Sequence, residues 1–171
     1  VVDGNTREWS TLHAVVERVA NARVTFVSEN HDNPAHHETQ LRMIQTAFKA
    51  NPKLMIGMEM FERKQQQNLD DYTQGKIDEP TFLERVDWQK SWGFDWNLYK
   101  PILNFAAEHH LKVVGLNAPR DIVRKVGKGG VAALTAEERK LIARDIDTSN
   151  PAHREQFMGA FGAHGGNSGG H

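Results

Sequence analysis

Apolar residues along this chain gather into three short runs, separated by longer stretches in which they recur every three or four positions. The runs are Val24-Thr-Phe-Val27, Leu54-Met-Ile-Gly-Met-Glu-Met-Phe61 and Lys112-Val-Val-Gly-Leu-Asn-Ala-Pro119. Their β-branched and aromatic content predicts buried strands. The intervening stretches predict helices. Ser10 caps a helix whose stripe is Leu12, Val15, Val16 and Val19, closing at Asn21 and Ala22. Asp32 or Asn33 caps a second, with Pro34 in its first turn and Leu41, Ile44 and Phe48 on one face as far as Asn51-Pro52. His37, one turn before Leu41, shares that face, whereas His36 is rotated by about 100°. Residues 79–88 read as helical, and Pro101 opens a helix through Leu103, Phe105 and Ala106 to His110. Asp121 to Val126 begins another, stopped by Gly127-Lys-Gly-Gly130. Thr135-Ala-Glu-Glu138 is a capping-box pattern ahead of Leu141 and Ile142, and Pro151 to Phe161 closes the ordered part.

Strands alternating with helices imply an α/β fold, a parallel sheet flanked by helices and joined by right-handed crossovers. Residues 1–61 and 111–161 form that α/β domain. Residues 62–110 exceed an ordinary crossover and read as a helical insert subdomain over the C-terminal ends of the strands. Residues 162–171 form a glycine-rich tail expected to be flexible. Three strands make a thin sheet, so the chain is expected to lack its C-terminal part.

Composition narrows the function classes. The net charge is −1 and no Lys or Arg run stands out, so nucleic acid is not an expected partner. No apolar stretch approaches the roughly 20 residues that span a bilayer. The first residues do not read as a signal peptide. There is no cysteine, so a metal or haem ligand must come from His, Glu, Asp, Tyr or Met.

The candidate chemistry gathers where the first run gives way to a helix, at Glu29, His31, His36 and His37. Ligands of open α/β sheets bind at the carboxyl ends of strands. There the second run brings Glu59, and the third brings Asn117 and Arg120. Glu29, His31 and Glu59 can hold a divalent metal through nitrogen and oxygen, leaving room for water. Equally, a Glu–His pair can simply satisfy itself. Glu59, a carboxylate within an apolar run, needs a partner or a role, and an ion pair with Arg120 is one answer. His-Glu-x-x-His is absent because position 40 is Gln, and neither a phosphate-binding glycine loop nor a Gly-x-Ser-x-Gly elbow occurs. Trp88, Trp92, Phe94, Trp96 and Tyr99 form a dense aromatic cluster, either subdomain core or a platform for a flat aromatic ligand. Tyr99 can offer a phenolate to ferric haem, a ligation used by some haem proteins, and the residues alone leave this open.

Four segments in this order, Ser28-Glu-Asn-His-Asp-Asn-Pro-Ala-His-His-Glu-Thr-Gln40, Gly57-Met-Glu-Met-Phe61, Trp92-Gly-Phe-Asp-Trp96 with Tyr99, and Leu116-Asn-Ala-Pro-Arg120, resemble the ChaN family of the Tiki superfamily. Ser28 stands where the family usually has Gly. The resemblance covers about Val24 to Arg120. It implies a bacterial haem-binding protein of iron or haem acquisition, often an iron-regulated lipoprotein of the cell envelope. It further implies a homodimer that stacks two haems held through tyrosine. Tyr99, within the aromatic motif, is then the chosen ligand, with His36, His37, Asn117 and Arg120 as further ligand-binding residues. The wider superfamily implies an alternative, a metal-dependent hydrolase of protease or esterase type. It would use Glu29, His31 and Glu59 around Mn, Co or Zn. Members normally continue into a further helix and strand carrying His, beyond the glycine-rich region.

Overall fold

The computed structural model describes residues 6–165. In chain order it contains α1 (Leu12–Asn21), α2 (Pro34–Ala50), β1 (Met55–Glu62), α3 (Gln66–Thr73), α4 (Glu79–Arg85), α5 (Trp88–Ser91), α6 (Trp96–Glu108), β2 (Lys112–Asn117), α7 (Arg120–Gly129), α8 (Ala136–Arg139) and α9 (Pro151–Gly165). β1 and β2 pair in parallel, Met55 opposite Lys112 and Met58 opposite Gly115, with the register shifting before Glu62 and Asn117. The fold is mixed α/β around a short two-stranded sheet. None of its described helices is long and apolar enough to cross a membrane.

The second and third apolar runs are strands, as their composition predicts. The first is not. Residues 24–30 carry no regular structure, and Phe26 is 93% exposed and Val24 67% exposed. β-propensity acts through packing and pairing, and among the described residues β1 pairs with β2 alone. Two helix starts also move. Thr11, rather than Ser10, caps α1 by accepting from the Ala14 N–H. α6 begins at Trp96, capped by Asp95, and carries Pro101 within it. The predicted helix over residues 79–88 breaks at Asp87, whose φ of 47° is left-handed, a conformation that a short polar side chain tolerates. α7 runs past Gly127 to Gly129, and α9 takes in 162–165, the first part of the expected tail; residues 166–171 lie outside the described residues. The caps expected at Asn33 and Thr135 are present.

The chain divides into two compact units, Val1–Asp121 and Ile122–His171. The insert shares one core with the strands. Ile56, Met58, Met60, Phe61 and Val113 pack with Leu69, Phe82, Val86, Trp88, Trp96, Tyr99 and Leu103. Phe82 stacks on Tyr72 with centroids 4.4 Å apart and meets Phe61 and Trp96 at 5.7 Å each. Neighbouring glutamines fasten the insert to the sheet. Gln65 donates to the Val86 carbonyl and accepts from the Glu62 N–H, both at 2.8 Å. Gln66 donates to the Val113 carbonyl at 2.7 Å and accepts from the Gly115 N–H at 3.2 Å. Gly115 is required here: a Cβ would meet the Glu62 and Phe61 carbonyl oxygens at 2.9 and 3.0 Å.

Alternation along β1 buries Ile56, Met58 and Met60 and turns Met55, Gly57 and Glu59 outward. Glu59 is therefore exposed, and the desolvation cost expected of a carboxylate in an apolar run does not arise.

Candidate functional site

The turn between residue 28 and α2 is built around Glu29, whose side chain is 3% exposed. Such a carboxylate must be supplied with donors. The His31 Nδ1–H donates to Glu29 Oε1 at 2.7 Å, and the Tyr99 hydroxyl donates to the same oxygen at 3.0 Å. On the other side, His37 Nδ1 lies 2.8 Å from Glu29 Oε2. That approach is off the axis of a hydrogen bond, and neither atom has another partner. His37 itself is fixed, its Nε2–H donating to the His31 carbonyl at 3.2 Å.

Local sequence explains the placement. Asn33 accepts from the Ala35 N–H and Pro34 occupies the first turn of α2, so α2 starts where it can present His37 inward. His37 is buried on the α2 face that carries Leu41, Ile44 and Phe48. His36, rotated away, accepts at Nδ1 from the Asn30 N–H at 2.9 Å and pins the turn. Gln40 donates to the Val27 carbonyl at 3.2 Å and ties the preceding segment to α2.

His31 has a different surrounding. Its ring is 37% exposed and lies against Trp92 and Phe94, with centroids 4.7 and 4.8 Å away. Because Nδ1 is held by Glu29, Nε2 is directed away from the carboxylate, and it has no partner among the described residues. A carboxylate behind one imidazole nitrogen orients the other toward a metal or an electrophile.

Tyr99 does not meet the expectation of an open haem ligand. It is fully buried, its oxygen is committed to Glu29, and its ring packs edge-on against His37 at 4.5 Å. Burial, with the Glu29 carboxylate adding to it, holds its phenol well above the usual tyrosine range. Tyr72 is also engaged: its hydroxyl faces Glu79, and burial together with that carboxylate pushes it up to about 12.

A raised phenol stabilises the folded state below the pKa of the unfolded chain, near 10, and that stabilisation is lost as pH rises toward the folded value. Both tyrosines are therefore expected to resist ionisation in the native protein until well above pH 10. Stability should fall from that pH upward. Absorbance titration of native and denatured protein checks this, and two normal titrations in the native state would refute it.

Asn117 and Arg120, expected to face ligand, are used inside the fold. Asn117 Nδ2 donates to the Glu59 carbonyl at 2.5 Å, joining the two strand ends. The Arg120 guanidinium donates to the carbonyls of Lys90 and Ser91 at 3.1 and 2.7 Å, satisfying the end of α5. It does not pair with Glu59, so that ion pair is not formed. Glu59 joins Glu29 and His31 instead: one ligand atom from each lies within 4.8 Å of the others. The contact of Trp92 and Phe94 with His31 was not read from the sequence. The Trp92-Gly-Phe94 spelling beside a helix-capping Asp95 was its only signal.

Comparison with known proteins agrees with this architecture. Residues 15–171 match the family described as haem-binding uptake, Tiki superfamily, ChaN. The solved structure of ChaN from Campylobacter jejuni, described as binding heme cofacially, superposes with a TM-score of 0.70 at 19% identity. It covers 97% of this chain and 63% of that one. The chloroplastic protein RETICULATA-RELATED 5 of Arabidopsis thaliana is 23% identical over 134 residues, 74% of this chain and 18% of that protein. This chain thus spans less than two thirds of either relative's length. With the match extending over nearly its whole length, the chain belongs to the ChaN family of haem-binding uptake proteins in the Tiki superfamily.

Proposed function

We propose that this protein binds haem at the face where the Glu29–His37 turn meets Trp92 and Phe94, and serves haem or iron acquisition in the bacterial cell envelope. The observation that carries the reading is His31, a carboxylate-oriented and partly exposed imidazole flanked by two aromatic rings. A flat macrocycle takes aromatic edges and an iron ligand from the same patch. Family membership and the cofacial heme of Campylobacter ChaN support it. In that reading two copies pair with their haems face to face. Hemin titration followed by absorbance is the test: a saturable Soret shift near one haem per chain is expected, and no shift contradicts haem binding.

A second reading rests on a separate observation, the convergence of Glu29, His31 and Glu59. Two carboxylates and an imidazole suit Mn, Co or Zn, and exposed Glu59 leaves the position open to water. An ion held there would polarise a carbonyl and lower the pKa of bound water, the chemistry of a metal-dependent hydrolase. Elemental analysis separates the readings. Glu59→Gln should abolish stoichiometric metal while leaving hemin binding intact, and hemin binding lost with the metal would contradict the haem reading.

A further inference from the structure

We infer that Arg120 is a positioning residue of the proposed haem site: from the end of β2 it holds the backbone that carries the Trp92–Phe94 wall against His31. The inference rests on the haem reading above and goes beyond it by giving the aromatic wall a support outside the site.

The wall is a short loop with little of its own to fix it. α5 is a single turn, and the last carbonyls of a helix have no partner within it. Trp92 and Phe94 follow at once, their rings 4.7 and 4.8 Å from the His31 ring. Between them Gly93 takes a left-handed φ of 84°, and a Cβ there would meet the Gln89 carbonyl oxygen at 3.2 Å. Trp88 clamps the loop from the core. Its carbonyl accepts from the Trp92 and Gly93 N–H groups at 2.9 and 3.0 Å, and its indole N–H donates to the Phe94 carbonyl at 2.7 Å.

Arg120 clamps the other side. Its Nη1 and Nη2 donate to the Lys90 and Ser91 carbonyls, the two that directly precede Trp92, at 3.1 and 2.7 Å. The planar guanidinium fork spans two successive carbonyls, a geometry that the compact ammonium of lysine does not offer. The base of the fork is fixed as well. Pro119 before it is fully buried, and the Arg120 N–H donates to Glu62 Oε1 at 3.2 Å, at the end of β1. Lys64 holds the other oxygen of Glu62 at 2.8 Å. One side chain thus ties the ends of both strands to the wall. The packing of Trp88 on Phe61, Trp96 and Tyr99 does not involve Arg120, so removing the guanidinium should loosen the loop and leave the core in place.

The test is hemin titration of the full chain, Arg120→Ala, Arg120→Lys, Trp92→Ala and the double variant of Arg120→Ala with Trp92→Ala, with circular dichroism to establish folding. Fluorine NMR of fluorotryptophan-labelled protein reads the wall without hemin, the Trp92 resonance being the one missing from Trp92→Ala. Arg120→Ala should weaken hemin binding by roughly fivefold and shift or broaden the Trp92 resonance, and in the Trp92→Ala background the same change should cost less than about twofold, because changes that act through one element do not add. Arg120→Lys keeps the charge and the stem, and it should show the same weakening and the same shift; it carries the test if Arg120→Ala does not fold. An equal loss with and without Trp92 would mean that Arg120 contacts the haem itself, and would overturn the inference while leaving haem binding standing. So would an unchanged affinity or an unmoved Trp92 resonance in both Arg120 variants. A wild type that binds no hemin would overturn the haem reading and this inference together.

Discussion

Replacing Glu29 with alanine is expected to destabilise the protein by about 1–3 kcal/mol for each donor left without its acceptor. The side chain receives the His31 Nδ1–H and the Tyr99 hydroxyl and faces His37, and little of it is in contact with water. Its removal strands the buried Tyr99 hydroxyl and the His31 Nδ1–H and takes away the carboxylate that His37 faces. Glu29→Gln keeps the Oε1 acceptor and the side-chain volume, so its cost is expected to be smaller, about 1–3 kcal/mol. Chemical denaturation of both variants measures this. The cycle with Tyr99→Phe should give a coupling of about 0.5–3 kcal/mol, as residues of one hydrogen-bonded network do. A loss below about 1 kcal/mol for Glu29→Ala would mean that the turn is held by something else.

Phe82→Ala is expected to cost about 3–5 kcal/mol, as large-to-small changes of buried phenylalanine do. That is a large fraction of the roughly 5–15 kcal/mol that stabilises a folded domain. Phe82 is fully buried between Tyr72, Phe61 and Trp96, so the cavity would open where α3, α4, β1 and α6 meet. Because the insert and the sheet share that core, a single cooperative transition should shift as a whole. A second, earlier transition confined to the insert would contradict the shared core.

Legibility in the sequence followed the range of the interactions. β1, β2 and α2 were readable because short apolar runs and an Asn-Pro start carry their own signals. The run at Val24 carried the same signal and failed, since a strand also needs a neighbour and none pairs with it among the described residues. Glu29 and His31 were readable as a pair two positions apart. That Tyr99 completes the pair from 70 positions away was not, because only the fold brings α6 against the turn. Tyr99 looked like a ligand by its place in an aromatic motif. The outward turn of Glu59 was readable in principle from the alternation of β1. The use of Arg120 to close α5 was not, because α5 is a one-turn helix with no signature of its own.

The proposed haem site is the Glu29–His37 turn with the Trp92–Phe94 wall. Hydrogen exchange of the full chain with and without hemin tests it most directly. Residues 24–33 have few backbone hydrogen bonds of their own, so a bound macrocycle should register there. Slowed exchange confined to residues 28–37 and 91–95 is expected on adding hemin. Protection concentrated elsewhere, or none despite bound hemin, would contradict it.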